Sequence, residues 1–168
     1  MALFGGARDI SLFRKLNREL LGDIITQQIA YYKYSLGKNK VNLYGEAVDK
    51  YFLEPVLLNC LIQRNDQTWN SDDMGPNIVR TMTFNLLRDD LVDAQLVPEV
   101  GDIVMWYESY FELDSIQENQ LFVGKSEEYP YNTNPLNPGL ENFGSSISII
   151  CQGQLIPSDK YSLTKARI

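Results

Sequence analysis

Residues 96–125 read LVPEVGDIVMWYESYFELDSIQENQLFVGK, and no other part of the chain constrains the architecture so tightly. Pro98 and Gly101 punctuate its start. Ile103–Tyr107 and Tyr110–Ile116 are short apolar and aromatic runs of the kind that suit a pleated, half-buried surface, and Glu108-Ser109 can form a tight connection between them. The stretch therefore predicts a β-hairpin.

Downstream, the composition changes to SEEYPYNTNPLNPGLENFGSS, rich in Pro, Asn and Gly and without aliphatic periodicity. This predicts a loop over 126–145, longer than compact domains usually carry without a functional reason. SISIICQGQLI, residues 146–156, then reads as a closing strand, and a short polar tail follows. Upstream, Ile78, Arg80, Met82 and Phe84 alternate as a strand should, after a polar stretch from Gln67 to Asn77 that reads as an exposed loop. Arg88-Asp89-Asp90 reads as a turn. Pro55 divides VNLYGEAVDKYFLEPVLLNCLIQRN into strands at about 41–45 and 55–64. Ser35–Lys40 reads as a turn, and Ile24–Tyr34 as strand-like, although Thr26–Ala30 could extend a helix. At the N-terminus, Leu12, Phe13, Leu16 and Leu20 recur at helical spacing opposite Arg14, Lys15 and Arg18, with Asp9 placed to cap and Gly22 to end the helix.

One helix with six or so short strands predicts a mainly β fold: a small β-barrel or sandwich with an N-terminal amphipathic helix and a long Pro/Asn-rich loop. The organisation expected is an arm and helix over 1–22, a barrel-like domain over 23–160 containing loop 126–145, and a tail over 161–168. With 168 residues, 44% of them hydrophobic and 22% charged, the chain is long enough for one core.

Histidine is absent, which excludes Ser-His-Asp and Cys-His catalysis and removes the commonest zinc ligand. Cys60 and Cys151 lie far apart, each inside an apolar run, and read as buried thiols of a chain folded in a reducing cytosol. Neither GxGxxG nor GxxxxGK[ST] occurs, so nucleotide binding has no support, and no cofactor or metal is expected. No signal-like or 18-residue apolar stretch occurs, so no membrane is expected. The remaining chemistry would rest on carboxylates: Glu112 and Asp114 share a strand face about 7 Å apart, and Glu108 with Glu112 could serve as acid and base of a small hydrolase. A solvated strand face is the simpler reading.

Charge is unevenly spread. Residues 1–45 hold seven basic groups against three acidic, a balance of +4, which leaves eight basic and nineteen acidic groups, −11, on the other 123. Such a split suggests a basic arm that docks on an acidic partner, on a body that repels nucleic acid.

Gly101-Asp102-Ile103-Val104-Met105-Trp106, followed by Phe111-Glu112-Leu113 and by Gln120-Leu121-Phe122-Val123-Gly124, resembles the neck proteins of T-even-type contractile-tailed bacteriophages. Ile147–Ile156 with the polar exit Pro157-Ser158-Asp159 is similar to the closing strand of that family; LFRKL and YFLEPVLL match more loosely. The chain departs from the family in its shorter length and in loop 126–145. The resemblance implies a structural head-completion protein and no enzyme. It would be a subunit of a hexameric ring in the virion neck, assembled in the host cytoplasm, with the portal and its adaptor above and the tail terminator or tail tube and sheath proteins below. An adaptor, tail-terminator or baseplate subunit is the nearest alternative, a hydrolase the more distant one.

On that reading Leu12, Phe13, Arg14, Leu16 and Arg18 contact the next subunit or ring, and Tyr129, Tyr131 and Phe143 anchor the 126–145 loop in the assembly. Six chains of net charge −7 would carry −42. Asp89, Asp90, Asp93, Glu108 and Glu118 are expected to line a channel through which DNA passes without being held, while the basic helix faces an acidic neighbour.

Overall fold

The computed structural model describes residues 7–35, 37, 40–41, 47–65, 68–72, 75–118, 147–157, 161 and 163. Its centre is a closed antiparallel barrel, which decides between the barrel and sandwich alternatives. The six strands are β1 (Gln28–Tyr32), β4 (Val56–Arg64), β7 (Thr81–Leu87), β10 (Ser148–Ile156), β9 (Ser109–Gln117) and β8 (Ile103–Trp106), in that order around the barrel. Closure leaves the barrel itself without an edge strand.

Alternation fills the interior. Leu58 and Cys60 of β4, Met82, Phe84 and Leu86 of β7, Phe111 and Leu113 of β9, and Ile149 and Cys151 of β10 point inward to one core with Ile29, Tyr31, Val104 and Trp106. β1 and β8 are apolar on both sides, because Ala30, Tyr32, Ile103, Met105 and Tyr110 form a second cluster outside the barrel, packed by Phe52, Tyr161 and Leu163. At Gly153 the barrel wall is closely packed: an added Cβ would lie 3.2 Å from the Phe111 Cβ and 3.3 Å from the Glu112 carbonyl oxygen. There the register shifts, and Asp114 is the extra residue on β9.

Several expectations are corrected. Helix α1 spans Ala7–Glu19, so it begins ahead of Asp9, and it continues past Gly22 as a π-helical turn, Leu20–Ile25. Thr26, at φ 50°, ends that turn by donating its N–H to the Leu21 carbonyl at 3.0 Å. Strand geometry therefore starts only at Gln28. The expected loop over 67–77 contains a hairpin of β5 (Thr68–Asp72) and β6 (Gly75–Val79), a two-stranded sheet apart from the barrel. Of the strand expected at 41–45, Val41 belongs to β2 (Lys40–Val41), which pairs with β3 (Ala47–Asp49), and residues 42–45 lie outside the described residues. Arg88–Asp93 is not a turn but a short helix, α2, whose fully buried Leu91 joins the core. The β8–β9 connection sits one residue earlier than expected, at Tyr107-Glu108, with φ of 43° and 61° as a type I′ turn requires. Loop 126–145 lies outside the described residues.

Candidate docking surface

Leu21, Leu87 and Ile147, joined by Ile25, form a small apolar cluster that fixes the end of the helical segment to the barrel. The rest of α1 is held by charge. Arg14 is bidentate on Asp89, with its Nε 2.8 Å from Oδ2. Arg18 reaches Asp90 at 3.1 Å and Asp93 at 2.6 Å. Spaced four residues apart, the two arginines lie on one face of α1, turned toward α2. The acidic partner expected for the basic helix is thus in the same chain, and Asp89, Asp90 and Asp93 are occupied by Arg14 and Arg18.

The contacts shift the titrations of these groups. Hydrogen bonding to Asp89 raises the Arg14 pKa and hydrogen bonding to Asp93 raises that of Arg18. Burial raises Asp90 against the opposing pull of Arg18. Burial lowers Arg88, whose Nη2 donates to the Glu118 carbonyl at 3.5 Å, so Glu118 sits beside a guanidinium. Glu108 is exposed at the hairpin tip.

With its charged face turned inward, α1 presents its apolar face to solvent. Leu12 is 55% exposed, Leu16 51% and Ile24 75%, with Phe13 and Leu20 also exposed. Gly22 lies against β4, where an added Cβ would be 4.0 Å from the Asn59 amide. Leu57 and Leu61, two residues either side of Asn59, are exposed on the same outer face of that strand. Of the residues grouped in the sequence as one contact, Leu12, Phe13 and Leu16 are exposed, whereas Arg14 and Arg18 lie on the other side of α1 against α2; Tyr129, Tyr131 and Phe143 lie outside the described residues.

The carboxylate pair weighed for hydrolysis is not assembled. Glu108 and Glu112 are separated by about 12 Å of hairpin. Glu112 accepts from the Lys50 ammonium at 3.1 Å and from the Tyr161 hydroxyl at 3.4 Å, and Tyr161 in turn packs edge-on against Phe52. Among the described residues no group of three or more Cys, Asp or Glu side chains could hold a metal ion, and no helix is long and apolar enough to cross a membrane.

The most completely buried charge among the described residues is Asp102, which the sequence offered only as the second residue of the stretch 101–106. Asp102, with no exposed surface, accepts from the Tyr31 hydroxyl at 2.5 Å, the Lys33 ammonium at 3.1 Å, and the backbone N–H groups of Tyr34 and Glu99 at 2.8 Å each. Burial, then the Asp102 charge, pushes the Tyr31 phenol far up. Gly101, at φ 94°, makes the preceding bend, and its N–H bonds the Leu113 carbonyl at 2.9 Å. This carboxylate ties the end of β1 to the start of β8; the available signal was a Gly-Asp pair directly ahead of four apolar residues. Compared with known proteins, the chain matches no family model and no curated protein.

Proposed function

We propose that this chain is a structural connector of a contractile-tailed phage virion, a neck subunit that closes the filled head and joins it to the tail. The observation that carries the reading is α1: a helix clamped to its own barrel by its charged face, with its apolar face outward, is built to be covered by another surface. The resemblance of residues 101–124 and 147–156 to neck proteins supplies the place in the virion. The reading includes a hexameric ring, with a portal adaptor above and the tail terminator or tube below. DNA passes through without being bound, and Glu108, exposed and apart from the α1 clamp, is the carboxylate best suited to the lumen.

Deleting the gene from the phage tests this. DNA-filled, tailless heads should accumulate, and the purified chain should convert them to infectious particles. Deletion mutants that still yield tailed, infectious virions would refute it.

A further inference from the structure

A surface helix ordinarily buries its apolar stripe and leaves its charges in water. Helix α1 does the reverse along its described length. Arg14, Arg18 and the buried Leu21 face α2 and the barrel, while Leu12, Leu16 and Leu20, one turn apart, occupy the opposite side. With Phe13 and Ile24 the exposed apolar surface of this side amounts to about 500 Å², within the range of the largest patch expected on a monomer.

We propose that this face is covered by the same face of a second copy of the chain, α1 packing antiparallel on α1 about a two-fold axis. Area is the first argument. Two such faces bury about 1,000 Å² together, the least that a specific interface needs, and leucines four residues apart form the ridges that interdigitate when helices pack. The second argument is charge. Lys15 and Glu19, both exposed and one turn apart, rim the same side of the stripe. An antiparallel pair brings this rim against its own copy in reverse order, so Lys15 meets Glu19 of the partner subunit and the reverse contact repeats it. The face is self-complementary, as an isologous contact requires. A membrane surface is the poorer occupant, because Arg14 and Arg18, the cations an anionic headgroup layer would attract, are turned inward onto carboxylates. Neighbours in a cyclic ring meet through unlike surfaces, so the two-fold pair is a state of the free chain and goes beyond the connector reading.

The test uses the full chain in sedimentation equilibrium at micromolar concentration. The wild type should be a dimer and Leu16→Glu a folded monomer by circular dichroism. Lys15→Glu and Glu19→Lys should each weaken the dimer about threefold, and the double variant should recover it. A Leu16→Cys variant should be joined into a dimer by a short bismaleimide while Cys60 and Cys151 stay unlabelled. A wild type that remains monomeric overturns the pairing, including the case in which Leu16→Glu loosens α1 within the monomer, since the cover is then a segment of the same chain. An oligomer unaffected by Leu16→Glu overturns it too, as does a double charge variant that fails to recover. Leu16→Glu monomers that still complete heads would leave the connector reading standing, whereas intact dimers unable to complete heads would remove only that reading.

Discussion

Replacing Asp102 by Ala leaves four donors facing a site with no acceptor: the Tyr31 hydroxyl, the Lys33 ammonium and the Tyr34 and Glu99 N–H groups. A hydrogen bond to a charged group contributes about 1.5–3 kcal/mol, but the four losses do not add. Lys33 retains the Val97 carbonyl at 2.7 Å and Glu99 at 3.0 Å, so its charge is not stranded. Breaking one side of a buried pair costs about 3–5 kcal/mol, and we expect about 4 kcal/mol for Asp102→Ala. Asp102→Asn keeps the shape but turns an NH2 group toward donors, for about 2–3 kcal/mol. Urea unfolding followed by the fluorescence of buried Trp106 measures both, as a lower midpoint at unchanged slope. At about 2–4 °C per kcal/mol for a chain of this size, Asp102→Ala should melt about 8–16 °C earlier. A loss below about 1 kcal/mol for Asp102→Ala would refute the claim that this carboxylate ties β1 to β8.

Because the Asp90 pKa is raised on folding, its protonation favours the folded state: that contribution is complete below the ordinary value of 3.8 and fades as pH rises through the raised value. The stability difference between wild type and Asp90→Asn should therefore move against the wild type as pH rises above 3.8 through the raised value, and a pH-independent difference in urea titrations would contradict the assignment. Burial pushes the Cys60 and Cys151 thiols up to about 12, so neither should react with a disulfide reagent at pH 8 until the chain is unfolded. Rapid labelling of the native protein would show that they are not core residues. Gly153→Ala drives a methyl against the Phe111 Cβ and the Glu112 carbonyl, and should cost about 1–3 kcal/mol in the same unfolding assay; a neutral result would mean the wall yields there.

The barrel strands were legible where one face is apolar and the other is not. β4, β7, β9 and β10 alternate because the closed sheet puts one side in the core, and the β8–β9 hairpin followed from two such runs separated by two residues. The turn itself slipped by one position because Tyr107 and Glu108 adopt positive φ, which composition reserves for Gly and Asn. The β5–β6 hairpin was missed because TWNSDDMGPNIV carries no apolar alternation; its ladder stands outside the barrel, where no core face writes a pattern. Helix α2 was missed because six residues hold too few turns for a helical period, and only Leu91 is drawn into the core. The Asp102 network joins residues about seventy positions apart, and no local spacing records which donors will converge on a carboxylate. The stripe on α1 was legible as a pattern, but not which face would turn outward.

That orientation changes what the charge asymmetry means. The basic N-terminal segment and the acidic body read as an invitation to an external acidic partner, yet Arg14 and Arg18 are spent on Asp89, Asp90 and Asp93 of the same chain. Charge therefore holds α1 in place, and the side it leaves outward is apolar. The two forces respond oppositely to salt. Partly exposed ion pairs are screened as ionic strength rises, whereas sulfate strengthens burial of apolar surface. Ammonium sulfate should therefore promote association through the stripe, and sodium chloride should speed hydrogen exchange in residues 11–25 by loosening the clamp. Association that sodium chloride abolishes at concentrations where exchange over 11–25 is unchanged would mean that the outward face binds by charge, and the division of labour argued for α1 would fail.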